Sequence, residues 1–184
     1  MQLATHKFTA DQYQKMGEAG IFHPEARLEL IQGDILVMSP IGLKHAATVN
    51  RLANLLPRLV GDRTIVSIQN SIRLNDYSEP QPDVVLLQPR ADFYESQIPQ
   101  PDNVLLLIEI ADSSLRYDRR VKAPLYAENN IQEFWLINLL DQTLECYRQP
   151  QAEAYTDQQT LNRDQAIAPL AFPDLTLNLT QILG

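Results

Sequence analysis

Glu109 lies inside the apolar run Leu105-Leu106-Leu107-Ile108-Glu109-Ile110. A lone carboxylate among such neighbours costs several kcal/mol unless it is protonated, paired or bound to a cation. A second acid, Asp83, opens another apolar run, Val84-Val85-Leu86-Leu87. If the two runs are neighbouring strands, both carboxylates meet at one end of a sheet. Two close carboxylates repel, and the pKa of one rises. A divalent cation that prefers oxygen, most naturally Mg²⁺, resolves burial and repulsion together, and its remaining positions go to water or substrate phosphate. The expectation is that Glu109 and Asp83 are metal ligands. The competing reading is a buried ion pair of Glu109 with Lys122 or Arg119, with Asp83 a mere turn residue after Pro82.

The segment after Glu109 supplies cations. On a helical wheel Tyr117, Val121 and Leu125 form one stripe, the expected core contact, and Asp118, Lys122 and Tyr126 form the next. The second stripe is placed at the boundary of core and solvent, able to point toward the strand end that carries Glu109. Lys122 would bring an ammonium to the acids; the plainer alternative is a surface pair with Asp118, worth about 0.3–0.5 kcal/mol. Arg116 and Arg120 lie further round, and "RYDRRVK" is the most basic patch of an acidic chain. Taken alone, such a patch is more often a solvated face than a nucleic-acid track. His45 continues the Val49–Leu52–Leu56 stripe at the start of its helix and so faces inward. Glu29 alternates with Leu28 and Leu30.

These residues need elements to position them. Thr9 and Gln12 have capping-box spacing, which predicts a short helix over Ala10–Ala19. "RLELIQGDILVMSP" predicts a hairpin around Gln32-Gly33-Asp34. "LKHAATVNRLANLLPRLV" has helical periodicity, bent or ended at Pro57. "TIVSIQNSIRL" and "DVVLLQ" are expected strands, joined by the turn-rich "NDYSEPQP". Val104–Ala111 is the central strand. A helix over about Leu115–Asn129 follows, kinked or restarted at Pro124. "EFWLINL" and "TLECYRQ" form two strands around Leu140-Asp141-Gln142. A variable region leads to "LAFPDLTLNLTQIL", expected to close one edge, with Asp174 a turn residue. The order implies a mixed α/β (α+β) fold with a central mixed β-sheet flanked by helices, in a single domain over 1–184.

Bulk properties narrow the function. Apolar runs such as Val104–Ile108 are far too short to span a bilayer, so no membrane partner is expected. The N-terminus lacks an apolar secretory core, and Cys146 is the sole cysteine, so a cytoplasmic location is the default. The formal net charge of -8 argues against a protein that coats nucleic acid. Any such contact must come from a local basic surface.

Taken in order, "LELIQGDILVMSP", His45, "PDVVLL", "LLLIEI", "YDRRVKAPLYAENNIQEFWLIN" and "LAFPDLTLNL" resemble the putative restriction endonuclease family abundant in cyanobacteria, within the PD-(D/E)XK nuclease superfamily. The resemblance covers about Arg27 to Leu183. It implies a restriction-endonuclease-like core and a Mg²⁺-dependent endonuclease acting on DNA, with Mn²⁺ able to substitute. Asp83 and Glu109 would bind the metal, with the Ile110 carbonyl as a possible third ligand. The superfamily lysine normally follows two residues after the glutamate, where this chain has Ala111; in this family it moves to the next helix, matching Lys122. His45 and Glu29 are implied to lie near the active centre, and a homodimer is implied by analogy. The chain departs from the pattern in "ADSSLRYD", where relatives carry a Ser-Pro-Ser-Thr-like turn, and at Asn130, where glycine is usual. The alternative is a catalytically inactive nuclease-fold module binding nucleic acid or protein. A docking scaffold of a third kind would leave Asp83 and Glu109 apart.

Overall fold

The computed structural model describes residues 5–184. Six strands form the main sheet, in the order β3 (Ile65–Ile68), β4 (Val84–Leu87), β5 (Val104–Ala111), β6 (Glu133–Asn138), β7 (Thr143–Gln151) and β8 (Ala154–Asn162). Every neighbouring pair is antiparallel except β5 and β6. A parallel pair needs a crossover, and the helical run Leu115–Glu128 supplies it. The mixed sheet with flanking helices is the architecture that the sequence implies.

Period-two alternation sorts β5 between two cores. Leu106, Ile108 and Ile110 pack with Val49, Leu52 and Leu56 of α2 (Leu43–Val60). Leu107 and Ala111 pack on the opposite face with Leu125 and Tyr126 of the crossover. Glu109 lies between Leu107 and Ala111, so the same alternation directs it toward the crossover helix.

The crossover is one helical run of three parts: α3 (Leu115–Tyr117), a π-turn over Asp118–Lys122, and α4 (Ala123–Glu128). The π-turn lies just ahead of Pro124, and Ala123 N–H reaches the Asp118 carbonyl five residues back. This insertion corrects the expected stripes. Asp118, Lys122 and Tyr126 are the buried set, whereas Tyr117 and Val121 are only half-buried. The widened turn rotates the polar stripe inward, and π-turns occur often where side chains must be aimed in this way.

Other expectations hold or shift for identifiable reasons. α1 (Ala10–Glu18) carries the Thr9/Gln12 capping box, and the hairpin of β1 (Leu28–Ile31) and β2 (Asp34–Val37) turns at Gln32-Gly33. α2 passes through Pro57 and ends only after Val60, because Leu56 and Val60 on either side of the proline are both buried in the core. β3 stops at Ile68, since Gln69 takes the left-handed φ of 51°. The tail does not close the main sheet: β9 (Ala166–Ile167) and β10 (Leu177–Asn178) form their own two-stranded sheet, and α5 (Leu179–Leu183) joins the α2 core. The segment taken as variable contains β8, whose polar sequence buries only Tyr155 and Leu161. Asp174 is an ion-pair partner of Arg63 at 2.9 Å.

Candidate active site at the end of the sheet

The β4–β5 register ends with Val84 opposite Ile108. One step further stand Asp83 and Glu109. Beyond the end of β4, the Ile110 main-chain N–H donates to Asp83 Oδ2 at 2.9 Å. This bond replaces the rung that β4 no longer provides. It also fixes the Ile110 carbonyl, because N–H and C=O of one strand residue point to the same edge. The Ala111 carbonyl accepts from Leu139 N–H on the opposite edge, as the alternation requires. The Ile110 carbonyl therefore faces the Asp83 side.

Asp83 is held from three directions. Besides Ile110, His45 Nε2 lies 3.0 Å from Oδ2, and Gln69 Nε2 donates to Oδ1 at 3.1 Å. Gln69 N–H also donates to the Asp83 carbonyl at 3.0 Å. Burial alone would raise the Asp83 carboxyl, but the bonds from His45, Ile110 and Gln69 and the His45 charge outweigh it and hold the pKa below its ordinary value. Asp83 is thus an anion.

Glu109 is held from the crossover. Lys122 Nζ donates to Glu109 Oε1 at 2.9 Å, and the Tyr126 hydroxyl donates to the same oxygen at 2.6 Å. Lys122 Nζ also lies 3.1 Å from Glu29 Oε2, which β1 brings in. Lys122 is 4% exposed and Glu109 is 4% exposed, so neither is the surface residue that an i, i+4 pair with Asp118 would require. Asp118 instead accepts from Ser114 Oγ at 2.6 Å, and Arg119 pairs with Glu145 on β7 at 2.5 Å. Burial lowers the Lys122 pKa, but Glu109, Glu29 and Asp118 raise it by more, so the ammonium stays charged. Burial, Asp83 and Asp118 push Glu109 well above the ordinary carboxylate range, against the pull of Lys122 and Tyr126.

These groups line a cleft of about 580 Å³ between the β1–β2 hairpin, the start of α2 and the end of β5. Glu29, His45, Asp83, Glu109, Ile110 and Lys122 all open onto it, so every sequence-predicted site residue converges here. Five acids line the cleft (Glu29, Asp83, Glu109, Asp112, Asp118) against Arg27 and Lys122 as cations. His45 Nδ1 and Tyr117 Oη are buried there without a hydrogen-bond partner, and Glu29 Oε2 has the Lys122 ammonium alone beside it. Orphaned polar atoms and surplus negative charge are features of a cation-binding cleft. Among the described residues, no three His, Cys, Asp or Glu side chains form a ready cage. Two carboxylates and a carbonyl nevertheless fit Mg²⁺, which commonly takes one or two protein carboxylates and keeps several waters.

Sequence reasoning overlooked Gln69 and Asp112. Gln69 falls inside "TIVSIQNSIRL", expected as an unbroken strand, and only its left-handed backbone, disfavoured outside glycine and asparagine, marks it. Asn130 has φ 58°, which explains how asparagine serves where glycine is usual in the resembled pattern.

Among the described residues, no helix is long and apolar enough to cross a membrane. A search of curated proteins gives no match. The chain is similar in fold to the crystal structure of a putative nuclease belonging to DUF820 from Anabaena variabilis ATCC 29413, at 19% identity and a TM-score of 0.73, over 96% of this chain and 97% of that one. The family model described as "Uma2: Putative restriction endonuclease" matches residues 10–180, nearly the whole length over which the elements described above run. This chain, with its mixed sheet and acid-lined cleft, belongs to the Uma2 family of putative restriction endonucleases.

Proposed function

We propose that this protein is a Mg²⁺-dependent endonuclease that hydrolyses DNA phosphodiester bonds. The observation that carries the reading is the joining of Asp83 to the Ile110 main chain beside Glu109, with the Lys122 ammonium on the Glu109 carboxylate. An acid-lined cleft repels a phosphodiester unless a cation intervenes, so the family description and the charge of the cleft point the same way.

Asp83, Glu109 and the Ile110 carbonyl would hold the ion. When bound, Mg²⁺ polarises a phosphoryl oxygen and lowers the pKa of water. Lys122 remains an ammonium and so acts electrostatically: it offsets negative charge that grows on the phosphoryl oxygens, and it is not a base. Glu29 and Glu109 fix its position from two sides. His45 and Gln69 orient the Asp83 carboxylate. The Tyr126 hydroxyl, whose pKa burial raises well above the ordinary value, stays a donor and fixes Glu109.

Plasmid and single-stranded DNA incubated with Mg²⁺ or Mn²⁺ test the reading. Cleavage by the wild type that disappears in Asp83→Ala and Lys122→Ala supports it. Equal cleavage by all three proteins would assign the activity to a contaminant. No cleavage under any condition would leave a nuclease fold used for binding alone.

A further inference from the structure

We infer that the solvent face of α2 is a track for the phosphodiester backbone of nucleic acid, leading away from the cleft. The inference rests on the nuclease reading of that cleft and extends it to residues outside the site. α2 spans 18 residues without one Asp or Glu, in a chain that carries 23 of them. Lys44, Arg51 and Arg58 recur every seven residues, so they form one stripe, and all three are exposed. The buried residues Val49, Leu52, Leu56 and Val60 occupy the other side of the helix.

None of the three cations forms an ion pair with a side-chain carboxylate among the described residues. Arg51 donates to the Leu183 carbonyl at 3.2 Å, which steadies it; Lys44 and Arg58 are left to solvent. Lys7, Arg63, Arg73, Arg90, Arg119, Lys122 and Arg148 are each tied to an acid. Lys15, Arg27, Arg116, Arg120 and Arg163 are unpaired as well among the described residues, but none of them lies on a helical run free of Asp and Glu. A shallow groove along the stripe is lined by Ala47 and Leu55 together with Asn50, Arg51, Asn54, Arg58 and Gln181; the last five are donors suited to phosphate, and no lining residue is acidic.

The position gives the stripe its meaning. His45 is the next residue after Lys44, and its ring lies in the cleft on Asp83. The track therefore begins beside the proposed site and runs about 20 Å along the helix, at about 1.5 Å per residue. That length is on the order of six nucleotides at about 3.4 Å per phosphate along one strand. A protein of net charge -8 can hold a polyanion only where its cations are concentrated and unneutralised, and α2 meets both conditions.

The test is fluorescence anisotropy on labelled duplex and single-stranded oligonucleotides in EDTA, over a salt series. The proteins are the wild type, Lys44→Gln/Arg58→Gln, and Lys15→Gln as an exposed α1 control. The double variant is expected to bind about tenfold more weakly at low salt. Its slope of log K against log salt should be shallower by about two, close to one per lost phosphate contact. Lys15→Gln should bind as the wild type does. Wild-type binding in the double variant, equal weakening in Lys15→Gln, or no wild-type binding at any salt would overturn the inference. So would loss of self-association with DNA affinity unchanged, which would assign the face to a second copy of the chain. Mg²⁺-dependent cleavage measured on the same preparations separates the two readings. Cleavage with α2-independent binding removes the track and keeps the nuclease, and α2-dependent binding without cleavage does the reverse.

Discussion

The Asp83 carboxylate takes the place of a missing strand rung, accepting the Ile110 N–H at 2.9 Å where β4 has already ended. One bond thus couples the first acid to the residue beside the second. The position of Asp83 is set by the main chain of the central strand, whereas Glu109 is set by side chains of the crossover helix. The candidate site is therefore an interface between the two layers that sandwich the sheet.

Of the two cations that line the cleft among the described residues, Arg27 and Lys122, Lys122 is the buried one. Lys122→Met is expected to lower cleavage by about 10²–10³, the scale for losing a preorganised charge at a developing oxyanion. It should also destabilise the fold in a pH-dependent way. Without the ammonium, the Glu109 carboxyl is raised further above its unfolded value. The folded state then binds more protons than the unfolded chain, and stability falls as pH rises through that window. Urea unfolding at pH 6 and pH 9 should show a small loss at pH 6 and a larger one at pH 9, because the wild-type Glu109 carboxyl is itself raised to about 8 and the two proteins differ in protonation only above that. An equal loss at both would contradict this charge assignment.

Gln69 holds its left-handed φ of 51° while bonding Asp83 through both its main chain and its amide. Gln69→Gly keeps the backbone and deletes the amide, so it separates conformation from contact. Thermal stability should change by less than about 1 kcal/mol. Cleavage should fall several-fold, because Asp83 loses one of three restraints. A large drop in melting temperature with unaltered activity in the surviving folded protein would show that the residue serves the fold alone.

Glu79 is a fully buried acid away from the cleft, bonded to Gln14, with its Oε2 unpartnered. Burial pushes its pKa up from 4.5 to about 7, against the Gln14 bond and the Arg73 charge. A carboxyl with a raised folded pKa favours folding when protonated. Stability should therefore fall between about pH 4.5 and pH 7 and level off above, by on the order of 3 kcal/mol at most. Glu79→Gln should flatten that part of the stability profile and raise stability at pH 8. Chemical denaturation from pH 4.5 to 8 reads the difference, and parallel profiles for both proteins would refute it.

Much of this arrangement was legible in the sequence because it depends on local pattern. Apolar runs revealed β4, β5 and β6, and a carboxylate inside one of them could not be a neutral detail. Capping and turn chemistry located α1 and the β1–β2 hairpin. The π-turn was not legible, since Asp118–Lys122 contains residues that any helix accepts, and the widening shows only in the long-range pairing of Lys122 with Glu29 and Glu109. β8 escaped because an edge strand with one solvated face needs few apolar residues; Tyr155 and Leu161 suffice. Gln69 escaped because its role depends on a backbone angle and a partner fourteen residues away.

Titration of the wild type with Mn²⁺, followed by electron paramagnetic resonance of the free ion, tests the central claim most directly. The claim predicts one ion per chain, with affinity lost or reduced at least tenfold in both Asp83→Asn and Glu109→Gln while each variant stays folded. Retention of the same stoichiometry and affinity in both variants would contradict it.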